Sequence, residues 1–225
     1  MLKYFDIGYK IVTTILLFLI LIFIIRLNDV NQPKVQKRTI NSEPVNLQKV
    51  NINTANRPVL GDHAAKVELV VFSDFTCPHC FELYKQIESL KSDYINTGLV
   101  KYIYISHPLG WNLKSQVLAN IAEYANQKDM FWETYPVLFN YHEDIYEENY
   151  AKYFPGLMKD SISFKEYISK PNRMVDNNVN MGKEIGLRGV PAFAVNGILY
   201  MGKKTNEEFK AILDKAIKEA DEICE

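Results

Sequence analysis

Cysteine is scarce: there are three in a chain of 225 residues. That is too few for a disulfide scaffold. Histidine is nearly as sparse, at four. His63, His107 and His142 show no ligand spacing among themselves, so they form no metal set. Charge of one sign is also missing. Twenty-six Lys and Arg stand against 27 Asp and Glu, a formal net charge of −1, so no strongly basic face for nucleic acid is implied. No internal repeat or low-complexity block appears, which excludes repeat architectures. What remains is a chain with 12% aromatic residues, enough to favour an ordered core. About 165 residues follow a hydrophobic segment and a linker, sufficient for one domain with a sizeable core.

The hydrophobic segment runs from Ile11 to Ile25, interrupted only by Thr13 and Thr14. It has the length of a signal-peptide core and is short for a spanning helix. Extension through Gly8 and Tyr9, with Lys10 snorkelling, brings it closer to a span. Arg26-Leu27-Asn28-Asp29 offers no small-x-small cleavage site. Residues 1–26 are therefore expected to be an uncleaved signal anchor, with a cleaved signal as the rival. Lys3 and Lys10 favour a cytoplasmic N-terminus, while Lys34, Lys37 and Arg38 oppose it. Residues 27–56 are polar, contain Pro33 and Pro44, and hold no period. They read as a tether, with a short dimerisation segment as the alternative.

The centre of the chain is Phe72-Ser73-Asp74-Phe75-Thr76-Cys77-Pro78-His79-Cys80. An apolar strand runs into a Cys-x-x-Cys, and a helical pattern starts at once. At such a junction the pair reads as a thioredoxin-like redox site. With Cys77 at the N-cap, Pro78 falls on the first helical position, where its missing N–H costs nothing. The N–H groups of His79 and Cys80 then point toward the Cys77 sulfur. The helix dipole and the His79 imidazole both favour a thiolate there. Cys77 is expected to be the exposed nucleophile and Cys80 the buried resolving partner. A zinc half-site would need a second ligand pair, and the third cysteine, Cys224, cannot supply one. A purely structural disulfide has no need of Pro-His at a helix start.

The folded domain is expected over residues 57–225. Val67 to Phe72 and Leu99 to Ile105 read as buried strands. Leu83, Ile87, Leu90 and Tyr94 line the helix between them, which Gly98 ends. This βαβ unit should cross over right-handedly. From about 113 to 185 the pattern is all-helical, with helices over Ser115 to Asn126 and Met130 to Phe139, and helical turns at Lys165 to Ile168 and Val175 to Ile185. The acidic stretch from His142 to Asn149 reads as a solvated helix face. Asn196-Gly197 between two apolar runs predicts a hairpin. Thr205 and Glu208 form a capping box ahead of an amphipathic helix. The fold class is therefore α/β, a thioredoxin fold with an all-helical insertion.

With these residues in place, the chain resembles the DsbA family of thiol:disulfide oxidoreductases over roughly Arg57 to Ile223. Cys77-Pro78-His79-Cys80 resembles that family's active-site tetrapeptide, and Ser73-Asp74-Phe75 resembles the wider DsbA-like group. Gly189-Val190-Pro191 is similar to its cis-proline loop. The resemblance implies that Pro191 is cis and that the Val190 backbone pairs with an extended substrate segment. It implies reduced exported proteins as substrates and a membrane quinone-linked partner of DsbB type as reoxidant. It needs no cofactor. In thioredoxin-like proteins a carboxylate often moves protons under the site, and here Asp74 and Glu68 are the candidates. They share a face if the strand runs unbroken to Asp74. His107 is expected to be structural.

The chemistry expected is transfer of the Cys77–Cys80 disulfide to substrate thiols, with His79 as the main local stabiliser of the Cys77 thiolate. A disulfide-forming site belongs outside the cytoplasm, so the domain is placed on the extracytoplasmic side of a bacterial membrane. Isomerase or reductase activity is the rival within enzymes. A non-catalytic binding or chaperone-like module is the rival from another class. Cys224 is expected to be a free terminal thiol, with an intermolecular disulfide as the alternative.

Overall fold

Alternation along Val67-Glu68-Leu69-Val70-Val71-Phe72-Ser73 divides the molecule into two cores. A computed structural model describes residues 15–24, 48–110 and 112–222. The chain divides into two compact units, Met1–Val45 and Asn46–Glu225. In the first, residues 15–24 are helical. Among the described residues no helix is long and apolar enough to cross a membrane. The ends of the expected membrane segment, linker residues 27–47 and Cys224 lie outside the described residues.

The second unit is built on a five-stranded sheet ordered β1-β3-β2-β4-β5. Its strands are β1 (Val59–Leu60), β2 (Val67–Ser73), β3 (Val100–Ser106), β4 (Ala192–Val195) and β5 (Ile198–Met201). β2 and β3 are parallel and in full register from Val67 opposite Val100 to Ser73 opposite Ser106. They are joined through helix α1 (Pro78–Tyr94), as the βαβ reading requires. β1 and β4 add antiparallel on either side. The two-residue β1 is too short to leave a pattern in the sequence.

Val67, Leu69 and Val71 of β2, with Tyr102 and Tyr104 of β3, face the larger core. That core takes in Cys80, Leu83, Ile87 and Leu90 of α1 and helices of the insertion. The insertion helices are α2 (Leu113–Gln127), α3 (Phe131–Tyr141), α4 (Tyr150–Tyr153), α5 (Ser161–Ser169) and α6 (Arg173–Glu184); the first four join the larger core, while Met181 of α6 packs on the smaller one. Val70 and Phe72, with Ile103 and Ile105, face a smaller core closed by Ile185 and by Val50 and Ile52. The acidic stretch expected as a helix face is instead a turn followed by a single 3-10 turn, Glu147–Asn149. It is too short and too polar to bury a stripe.

The Asn196-Gly197 hairpin forms with both residues at positive φ, 48° and 80°, as a type I′ turn demands. A side chain on Gly197 would also strike the Val50 carbonyl. That contact marks a departure from the expected tether. Residues 48–50 run along the outer edge of β5, with Leu199 N–H donating to the Gln48 carbonyl at 3.0 Å and Val50 N–H to the Gly197 carbonyl at 2.7 Å. The last helix, α7 (Asn206–Glu222), starts with the expected reciprocal cap. Glu208 N–H donates to Thr205 Oγ1, and Thr205 N–H to Glu208 Oε2.

Candidate active site

Cys77 sits at the N-cap of α1 in extended conformation (φ −85°, ψ 120°), with Pro78 in the first turn. The side chain at this position faces the free N–H groups of the first turn. Its sulfur makes no strict capping hydrogen bond, yet the N–H groups of His79 and Cys80 lie near enough to favour its charged form. Cys77 is half-buried, and Cys80, one turn inward, is 1% exposed. Both are free thiols here.

The two sulfurs divide the labour. The Cys77 pKa is lowered to about 6, chiefly by a hydrogen bond from the Cys80 thiol and then by the two backbone N–H groups. Burial and the charge of Asp74 oppose this. The Cys80 pKa is pushed far upward, first by burial and next by its bond to Cys77. Cys77 is thus the thiolate and Cys80 the proton-bearing donor beneath it. Asp74 N–H donates to the Cys80 sulfur at 3.4 Å.

The loop before β4 closes the other side. The Val190-Pro191 peptide bond is cis, and the Cys77 sulfur lies 3.8 Å from the Val190 carbonyl oxygen. Gly202 N–H donates to the Pro191 carbonyl at 2.9 Å. The backbone of this loop therefore borders the nucleophile directly.

Asp74 and Glu68 do not share a face. β2 ends at Ser73, so the alternation stops one residue short of Asp74. Glu68 lies on the smaller core's side, paired with Lys101 at 3.2 Å, and the structure does not bring it to the cysteines. Asp74 is 2% exposed and its carboxylate is fully engaged. Oδ1 accepts from Thr76 N–H at 2.8 Å and Thr76 Oγ1 at 3.0 Å. Oδ2 accepts from Leu109 N–H at 2.8 Å and Ser115 Oγ at 2.6 Å. Asn112, the cap of α2, reaches Thr76 Oγ1 at 3.1 Å. This network clamps the active-site loop to the start of the insertion. Phe75 adds an apolar anchor, packed 4.8 Å from the Phe139 ring and 5.3 Å from that of Tyr104, in contacts worth about 1 kcal/mol each.

The His79 imidazole is the other departure. It is exposed and lies toward Glu82, with Nδ1 3.4 Å from Oε2. The thiolate is held by the Cys80 thiol and backbone N–H groups instead. His107 is not among the groups around the cysteines. It is partly buried against Phe72, in edge contact at 6.2 Å, and burial lowers its pKa. Among the described residues no cluster of His, Cys, Asp and Glu is placed to hold a metal. Sequence reasoning missed Ser115 and Thr76. Both are ordinary polar residues whose partner is known only once the insertion is folded.

A family model described as Thioredoxin matches residues 53–215. The chain belongs to this thioredoxin family. The sheet order, the helical insertion and the Cys77–Cys80 pair make it a DsbA-like member. It is 25% identical to disulfide bond formation protein D of Bacillus subtilis, over 72% of this chain and 78% of that protein. It is 26% identical to the Na(+)/H(+) antiporter NhaA 3 of Salinispora tropica, over 72% of this chain but 25% of the antiporter. It thus spans about a quarter of that relative's length. Among solved structures, oxidised BdbD of Bacillus subtilis is similar, with TM-score 0.63 and 22% identity, covering 76% of this chain and 98% of that one. Wolbachia pipientis alpha-DsbA1 gives TM-score 0.62 and 19% identity, covering 78% and 97%.

Proposed function

We propose that this DsbA-like protein is a thiol:disulfide oxidoreductase that introduces disulfides into exported proteins. One observation carries the reading: a half-exposed Cys77 whose thiolate is favoured down to about pH 6, above a buried Cys80 whose thiol keeps its proton. A substrate thiolate attacks Cys77 Sγ of the oxidised pair. The Cys77–Cys80 bond breaks, and Cys80 leaves and takes up a proton. A second substrate thiolate attacks the substrate sulfur of the mixed disulfide and expels Cys77 as a thiolate. The substrate loses two electrons and the pair gains them. A leaving group of low pKa speeds the last step, and stabilising the reduced form makes the pair oxidising.

In this reading Val190 and Pro191 present their backbone to an extended stretch of substrate, pairing as an added strand. Asp74 holds the loop in place; its filled carboxylate argues against a proton relay. Residues 1–26 anchor the chain in the cytoplasmic membrane, and residues from about 27 onward lift the domain away on the extracytoplasmic side. A quinone-linked membrane protein of DsbB type reoxidises the pair. The relative named for disulfide bond formation supports this direction of electron flow.

The test is the equilibrium potential of the pair in the full chain, measured in glutathione buffers. A value near −120 mV, about that of strong oxidants, supports the oxidase. A value near −270 mV, about that of thioredoxin, overturns it in favour of a reductase or isomerase.

A further inference from the structure

Glu82 lies one turn beyond His79 on the outer side of α1. Its Oε2 stands 3.4 Å from His79 Nδ1 and accepts from Lys203 Nζ at 2.6 Å. Lys203 belongs to the turn between β5 and α7, 121 residues away. One carboxylate oxygen thus serves two nitrogen partners, the His79 ring and the Lys203 ammonium. Lys85 sits over the Phe81 ring at 4.7 Å. Lys204 and Glu208 line the shallow groove that Glu82 and Lys203 share. Asp74 lies beneath, with its carboxylate taken up by Thr76, Leu109 and Ser115.

We infer that Glu82 is a positioning residue that holds the His79 imidazole out on the rim, away from the Cys77 sulfur, and that Lys203 sets how firmly it does so. An imidazole near a sulfur stabilises a thiolate through its N–H and its charge. A carboxylate competes for both. The shorter contact, from the compact ammonium of Lys203, is the stronger one and loosens the hold on His79. Glu82 therefore restrains the nucleophile and Lys203 partly releases it. This places control of Cys77 in a residue outside the Cys-x-x-Cys and in a loop far along the chain.

The inference rests on Cys77 being the nucleophile of the proposed reaction. Its test does not depend on the direction of electron flow. Alkylation of Cys77 in the reduced full chain is followed against pH with iodoacetamide and read by peptide mass, which separates it from Cys80 and Cys224. Glu82→Gln should move the midpoint down by about half a pH unit, the scale of an exposed ion pair's influence. Lys203→Gln should move it up. Both effects should vanish when His79 is also Ala. An unmoved midpoint in Glu82→Gln overturns the inference. So does the same shift in the His79→Ala background, since Glu82 would then act on the sulfur by charge alone. A parent midpoint near that of an ordinary thiol would instead count against the oxidase reading, and the comparison among variants would still stand.

Discussion

Asp74 and Ser115 are 41 residues apart in sequence, and the Ser115 hydroxyl donates to the Asp74 carboxylate at 2.6 Å inside the protein. One of them directly follows the strand that leads to the cysteines. The other opens the insertion. The bond ties the redox loop to the domain that covers it, so the insertion fixes the loop as well as adding surface.

Ser115→Ala should lower the stability of the reduced protein by about 1.5–3 kcal/mol, the range for a hydrogen bond to a charged group. Asp74→Asn should cost more, because its amide would meet donors on Thr76, Leu109 and Ser115. Urea denaturation followed by fluorescence reads both. A loss below about 0.5 kcal/mol for Ser115→Ala, the usual scatter of surface changes, would show that the clamp does not stabilise the fold.

Cys80→Ala removes the thiol hydrogen bond that chiefly stabilises the Cys77 thiolate and leaves the backbone N–H groups in place. The Cys77 pKa should rise from about 6 toward the ordinary thiol range. Slower alkylation of Cys77 below pH 7 is the expected outcome. An unchanged pH profile would mean that the helix terminus alone holds the charge.

The folded reduced state should gain stability as pH rises. The Cys77 pKa is depressed on folding, so its contribution is present above the unfolded value of 9.0 and is lost as pH falls through about 6. A disulfide has no thiolate, so the oxidised form should lack this dependence. Denaturant midpoints of both forms at pH 5 and pH 8 give the comparison. A reduced form no more responsive to pH than the oxidised one would contradict it.

Glu68→Gln should leave Cys77 alkylation unchanged and shift stability by about 0.5 kcal/mol or less, because a partly exposed pair with Lys101 contributes little. A clear change in the Cys77 midpoint would show that this carboxylate does communicate with the site across the sheet.

The parts of the fold legible in the sequence are those decided within a few residues. Cys77-Pro78 starts a helix because N-cap and first-turn chemistry is local. Asn196-Gly197 turns the hairpin because both residues accept positive φ. Thr205 and Glu208 cap each other three residues apart. The direction of the His79 ring was not legible, since Glu82 is itself held by a lysine from beyond β5. The role of Asp74 was not legible either, because its partners come from the insertion. Residues 48–50 looked like linker because they carry no strand pattern. Their strand-like path is imposed by the open hydrogen-bonding edge of β5.

That last pairing also guards against self-association. A bare edge strand is a template on which a second copy of the chain can lay its own edge. Here Gln48 and Val50 already occupy positions along β5. A shortened form starting at Arg57 would uncover that edge and invite edge-to-edge pairing between copies. One starting at Asn46 would keep it shielded.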